Sequence, residues 1–271
     1  MPTIKVDTLS IDYYEAGNGI PVVFIPGITE YKEAFVFQFR GLQDSYRVIS
    51  YDVRRGLKRA TDYTLDLLVQ DLKGLLKGLK IDNAVICGHS FGGLIALKFA
   101  LTYPEETSAL ILISAFASLP PLHEDRLLGW ISSAGHPFHK SLGAGLRVQI
   151  AKLLGVKGPK MLSMVDEVSA IRAIARQAVK TSRTTITQRL RIIHSTDLSA
   201  NLREITVPTL VVAGAKDQGI FLKATQQLYE EIPNASLEVI EGGGHFCFLT
   251  RHDQFNAILD EFLTKHLQEM A

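Results

Sequence analysis

Residues 85–97 read VICGHSFGGLIAL, and this stretch restricts the fold more than any other part of the chain. A short apolar run ends at Cys87, and an apolar run with helical character begins near Gly92. A buried strand must therefore turn into a helix across only four residues, Gly88 to Phe91. That turn puts Ser90 at its apex in a strained backbone conformation. Side chains two positions either side of the apex would collide with their surroundings, and Gly88 and Gly92 remove the collision. The helix N-terminus then points at the Ser90 hydroxyl, where negative charge is favoured.

The rest of the chain repeats the same theme. Thr3 to Thr8 and Ser10 to Glu15 alternate as strands, PVVFIPG reads as a buried strand ending in a turn, and YRVISY (46–51) is another strand. From Thr64, a plausible N-cap, Leu65, Leu68, Val69, Leu72, Leu75, Leu76 and Leu79 recur at helical spacing. Strand 83–87, helix 92–103 and strand 108–113 follow. The pattern resumes with VPTLVVAG, a helix at about 220–231, strand 235–240 and a closing helix from about 252. Such alternation implies a parallel sheet covered on both faces. Between the two runs lie helical pieces broken by Gly135, Gly143, Gly145, Gly155 and Gly158-Pro159. The expected organisation is one core domain, residues 1–118 and 201–271, with an insert at 119–200.

Charge and cysteine content narrow the class. With 29 Lys or Arg against 28 Asp or Glu, the chain offers no general nucleic-acid-binding surface. Residues 120–200 are locally basic, with 12 Lys or Arg against 5 acids, which reads first as a solvated helical face. The N-terminal stretch has no apolar signal core, and the longest apolar run, near ALILISAFASL, is too short to span a bilayer. Two cysteines without CxxC spacing suggest buried thiols of a reducing compartment. The reading is a soluble cytoplasmic protein without membrane insertion, with its oligomeric state left open. No metal-ligand spacing and no early G-x-G-x-x-G occur, so neither metal nor cofactor is expected.

GHSFG fits the G-x-S-x-G nucleophile elbow in its required strand–turn–helix context. A serine hydroxyl needs a base within hydrogen-bond reach. His89 is adjacent, but neighbouring side chains diverge, so a local supporting role suits it better. His245 in EGGGHFCF follows the last strand on a glycine-rich loop able to return an imidazole over the sheet edge. Asp217 in VVAGAKDQG sits just past a strand end, where open α/β sheets place functional loops. Serine, acid and histidine then occur in the order 90, 217, 245.

GHSFGG, VPTLVVAGAKD and GGGHFCFL together make the chain similar to the α/β-hydrolase superfamily, in particular its small serine esterases with a helical cap. The resemblance implies an eight-stranded, mostly parallel sheet flanked by helices, with a cap inserted after the sixth strand. It also implies an oxyanion hole from the backbone N–H groups of Ile28 and Phe91. The loop after the third strand departs from the family, with Pro26-Gly27 where His-Gly is common. Asp52 and Arg54 in DVRRGLKRA match an imperfect family stretch and are expected to be structural.

The expected activity is hydrolysis of a small-molecule carboxylic ester through an acyl-enzyme, with Ser90, His245 and Asp217 as the triad. Thr29, Phe35, Trp130 and Phe246 are candidate substrate-pocket residues. The same triad also serves carbon–carbon bond hydrolases, lactonases and thioesterases, and hydrolase-like ligand receptors with little turnover retain it. Haloalkane dehalogenases and epoxide hydrolases use a carboxylate nucleophile, so Ser90 argues against both.

Overall fold

A computed structural model describes residues 2–7, 9–120 and 181–267. In chain order the elements are β1 (Thr3–Val6), β2 (Leu9–Ala16), β3 (Pro21–Ile25), α1 (Val36–Leu42), β4 (Arg47–Tyr51), α2 (Leu65–Gly78), β5 (Ala84–His89), α3 (Phe91–Thr102) and β6 (Thr107–Ile113). After residue 180 come α4 (Arg183–Ser195), β7 (Thr209–Gly214), α5 (Gly219–Glu231), β8 (Ala235–Ile240), α6 (Cys247–Thr250) and α7 (His252–Leu267). The strands form one eight-stranded sheet in the order β1-β2-β4-β3-β5-β6-β7-β8. β2 runs antiparallel to β1 and β4, and every other pairing is parallel.

The central strands explain themselves by composition. β5, β6 and β7 are buried along their whole length, because helices cover both faces and leave no polar side to alternate. One core cluster packs α2, α3, α4 and α5 on one face of the sheet. The other packs α1, α6 and α7 on the opposite face, through Phe24, Phe35, Phe248 and Phe255. α2 starts where Thr64 accepts a hydrogen bond from the Leu67 N–H at 3.2 Å, and it buries Leu65, Leu68, Val69, Leu72, Leu75 and Leu76. Each such leucine contributes about 1.5–3 kcal/mol on burial.

α4 is tied to the core by polar side chains on one face. Thr185 Oγ1 accepts the Gly56 N–H at 2.9 Å, and Gln188 pairs with both the N–H and the C=O of Leu57 at 2.9 and 2.7 Å. Most of the insert expected at 119–200, including Trp130 and the proposed cap, lies outside the described residues. No helix among the described residues is long and apolar enough to cross a membrane.

Candidate active site

The turn after β5 holds Ser90 at φ 52°, ψ −115°, a region that costs an L-residue free energy. Two hydrogen bonds hold it there: its N–H donates to Ile113 O at 2.9 Å, and its C=O accepts the Gly93 N–H at 2.9 Å. The flanking glycines are required by close approach. A Cβ on Gly88 would lie 2.3 Å from Gly92 O, and one on Gly92 would lie 2.2 Å from Ile25 O and 2.7 Å from Pro26 O. α3 therefore starts directly against the loop that leaves β3.

That loop runs Pro26-Gly27-Ile28-Thr29-Glu30. Its backbone closes a turn in which the Glu30 N–H donates to Gly27 O at 3.3 Å. The Glu30 carboxylate folds back to accept the Gly27 N–H at 2.7 Å. Among the described residues, the Ile28 and Phe91 amides donate to no protein oxygen. Ile28 is in the middle of this loop, and Phe91 is the first residue of α3, next to Ser90.

Asp217 and His245, the expected acid and base, come after the ends of β7 and β8. Beyond β7, the Lys216 N–H donates to Gly243 O at 2.7 Å, which joins the two loops. Asp217 accepts its neighbour Gln218's N–H at 2.7 Å and faces His245 Nδ1, 3.0 Å from Oδ2 and 3.2 Å from Oδ1. A carboxylate facing Nδ1 fixes the Nδ1–H tautomer and leaves Nε2 with its lone pair. Burial alone would raise the Asp217 pKa, but the His245 hydrogen bond and charge, helped by Ser114 and the Gln218 N–H, hold it below the ordinary carboxylate value. Burial lowers the His245 pKa, the His89 charge lowers it further, and the opposing pull of Asp217 does not restore it. The imidazole is thus neutral at neutral pH.

Both ring nitrogens of His89 are engaged by partners other than Ser90. Its Nε2 donates to His245 O at 2.9 Å, and its Nδ1 lies 2.8 Å from Glu30 Oε1. Burial would raise the Glu30 pKa, but the His89 imidazole and the Gly27 N–H more than offset it and keep the carboxylate ionised. One buried chain of contacts therefore links the β3 loop, the serine turn and the His245 loop.

The remaining expected residues divide. Phe246 is half-buried and edge-on to His245, with ring centroids 5.4 Å apart. Thr29 is buried, and its main-chain oxygen accepts the Thr181 hydroxyl at 3.2 Å. Phe35 is a core ring, held between Phe24 and Phe248 at 4.8 and 4.9 Å, so its faces are taken up by packing. Asp52 holds Lys32 through its backbone N–H at 3.0 Å and its Nζ at 2.7 Å. Arg54 grips Asp71 with two hydrogen bonds of 2.7 and 2.6 Å. Sequence reading missed Glu30 and also Phe221, whose ring lies 4.4 Å from that of His245. No group of three metal-ligating side chains occurs among the described residues.

Comparison with known proteins agrees with this architecture. A Klebsiella pneumoniae protein named as a carbamate hydrolase (RutD) is 28% identical over 260 residues, covering 92% of this chain and 93% of that one. The esterase EaEST from Exiguobacterium antarcticum superposes with a TM-score of 0.70 at 27% identity, over 93% of this chain and 95% of that one. A bromoperoxidase from Bacillus anthracis gives a TM-score of 0.73 at 25% identity, over 97% and 99%. The alpha/beta hydrolase fold family matches residues 20–252, and with the sheet order and the serine turn described above, the chain belongs to that family.

Proposed function

We propose that the chain hydrolyses carboxylic esters of small molecules through an acyl-enzyme. Ser90 attacks the ester carbonyl while His245 Nε2 takes its proton. The Ile28 and Phe91 amides receive the developing oxyanion, and each such donor contributes about 2.7–4 kcal/mol in comparable sites. His245 then protonates the leaving alkoxide, and Asp217 stabilises the imidazolium formed in between. Water enters, loses its proton to His245 and releases the acid, which restores Ser90. No step calls for a metal or an organic cofactor.

The observation that carries this reading is the buried Asp217–His245 pair, 3.0 Å apart, in a chain whose β5 leads into a serine in a strained turn. The similarity to an esterase at 27% identity supports it, and a carbamate presents the same kind of acyl carbonyl. In this reading residues 1–118 and 201–271 form the catalytic core, and 119–200 is a cap that covers Ser90 and shapes the substrate pocket with Thr29, Phe246 and Trp130. Two buried free thiols, Cys87 and Cys247, suit a reducing cytoplasm.

p-Nitrophenyl esters of graded chain length, assayed with the native protein and with Ser90→Ala, test the reading. Turnover that disappears in the variant supports it. Equal background rates in both would overturn it.

A further inference from the structure

Arg189 on α4 touches both residues of the proposed oxyanion hole, Ile28 at its carbonyl and Phe91 at its ring. Only 3% of it is exposed. Its Nη1 donates to Ile28 O at 2.7 Å, and its guanidinium carbon lies 5.6 Å from the centre of the Phe91 ring. Nη2 donates to Val53 O and Arg54 O at 3.0 and 3.2 Å, and Nε donates to the Tyr63 hydroxyl oxygen at 3.2 Å. These acceptors are all neutral, so among the described residues the buried cation has dipoles around it and no carboxylate in contact. Burying a charge on neutral partners alone is costly, and packing did not demand a cation here.

The contacts act on one short piece of backbone. The Ile28 N–H belongs to the peptide plane between Gly27 and Ile28. Glu30 fixes that plane by donating its own N–H to Gly27 O, and it fixes the preceding plane by accepting the Gly27 N–H. Arg189 fixes the following plane through Ile28 O. The donor amide is thereby held between two clamped peptides. A positive charge also sits at the adjoining Ile28 carbonyl, in surroundings where water cannot screen it.

We infer that Arg189 is a positioning residue for ester hydrolysis, which holds the Ile28 peptide in its oxyanion-binding orientation and adds a fixed positive field there. Together with Glu30 it supplies the loop support for which this chain, with Pro26, has no histidine. The inference rests on the ester-hydrolase reading. It also gives α4, the first described element after residue 180, a direct mechanical link to the reacting centre.

Arg189→Met and Arg189→Lys test it, assayed with p-nitrophenyl butyrate and with an aliphatic trifluoromethyl ketone, whose hydrate-like serine adduct carries the oxyanion. Loss of the clamp lowers kcat about 100-fold in the methionine variant. KM stays within about threefold, and the ketone weakens in proportion to kcat/KM. The lysine variant keeps the charge without the fork and loses about tenfold. A folded Arg189→Met with kcat within threefold of the native value overturns the inference. Where methionine is not tolerated by the fold, an unchanged kcat in Arg189→Lys overturns it. Absence of any Ser90-dependent turnover in the native protein overturns the ester-hydrolase reading instead. Hydrogen exchange at the Gly27 and Glu30 amides then decides the clamp alone: faster exchange in the lysine variant supports it, and unchanged exchange refutes it.

Discussion

His89 and His245 are joined by a hydrogen bond that involves only one of the two rings: Nε2 of His89 donates to the main-chain oxygen of His245 at 2.9 Å. The two imidazoles sit 4.8 Å apart, yet they have different partners, Glu30 for one and Asp217 for the other. The residue beside the serine therefore positions the loop that carries the proposed base, and the base itself comes from 155 residues downstream of Ser90, at position 245.

The two histidines should respond differently to replacement. His245→Gln removes the proton acceptor and should lower kcat at least several hundred-fold. His89→Gln keeps an amide donor that can reach His245 O, so a loss of about tenfold is expected, with partial retention of the loop. Steady-state kinetics on one p-nitrophenyl ester compares them directly. A greater loss in His89→Gln would refute His245 as the base.

The pH dependence of activity has a definite sign. The base must be neutral to act, and burial together with the His89 charge lowers the His245 pKa. The acid limb of kcat/KM should therefore fall below the ordinary imidazole value of about 6.5, with full activity at neutral pH. A limb centred above pH 7 would contradict the burial of this ring.

Stability should follow pH by the same groups. Asp217, Glu30 and His245 all bind protons less readily in the folded protein, so each contributes stability above its unfolded pKa that is lost as pH falls. The His245 share fades below about pH 6.5 and the carboxylate share below about pH 4. Cys87 and Cys247 act oppositely: burial raises both thiols, Cys247 to about 12, so their contribution is lost as pH rises above about 8.5. Melting temperatures recorded from pH 4 to 10 should show a plateau between about 6.5 and 8.5. A maximum outside that window would mean other groups dominate.

Much of this site is legible in the sequence, for a physical reason. Ser90 follows directly on the apolar strand β5, and Asp217 and His245 lie in the short loops after β7 and β8, so the strand ends mark their neighbourhood. The α1 helix escapes notice because VFQFRGL is apolar on both faces and shows no period. Glu30 and Arg189 escape for another reason. Their roles depend on pairings with His89 and with Ile28, the latter 161 residues away, and no local pattern reports such a contact. Phe221 lies inside a helix where an aromatic residue reads as ordinary core.

The helix α2 offers a control remote from the chemistry. Thr64→Ala removes the side-chain acceptor for the Leu67 N–H and should cost about 1 kcal/mol. Leu72→Ala opens a cavity in the core and should cost about 2–5 kcal/mol. Both should leave kcat within a factor of two in folded protein, as read by urea titration beside the ester assay. A large kcat loss in Thr64→Ala would show that α2 is coupled to the serine turn.

Gly92→Ala tests how closely the elbow and the β3 loop depend on each other. The added methyl would lie 2.2 Å from Ile25 O and 2.7 Å from Pro26 O, both of them backbone atoms that cannot rotate away. Either α3 or the loop must shift, at a cost of about 1–3 kcal/mol or more. A shift of the loop carries Ile28 with it and pulls its amide from the oxyanion position, so kcat should fall about 100-fold or further. The Asp217–His245 pair lies on other strands and should persist. Its low-field Nδ1 proton resonance, observed by NMR, should therefore survive in the variant while turnover is lost. A variant that keeps native kcat would show that α3 yields in place of the loop, and that Gly92 serves packing alone.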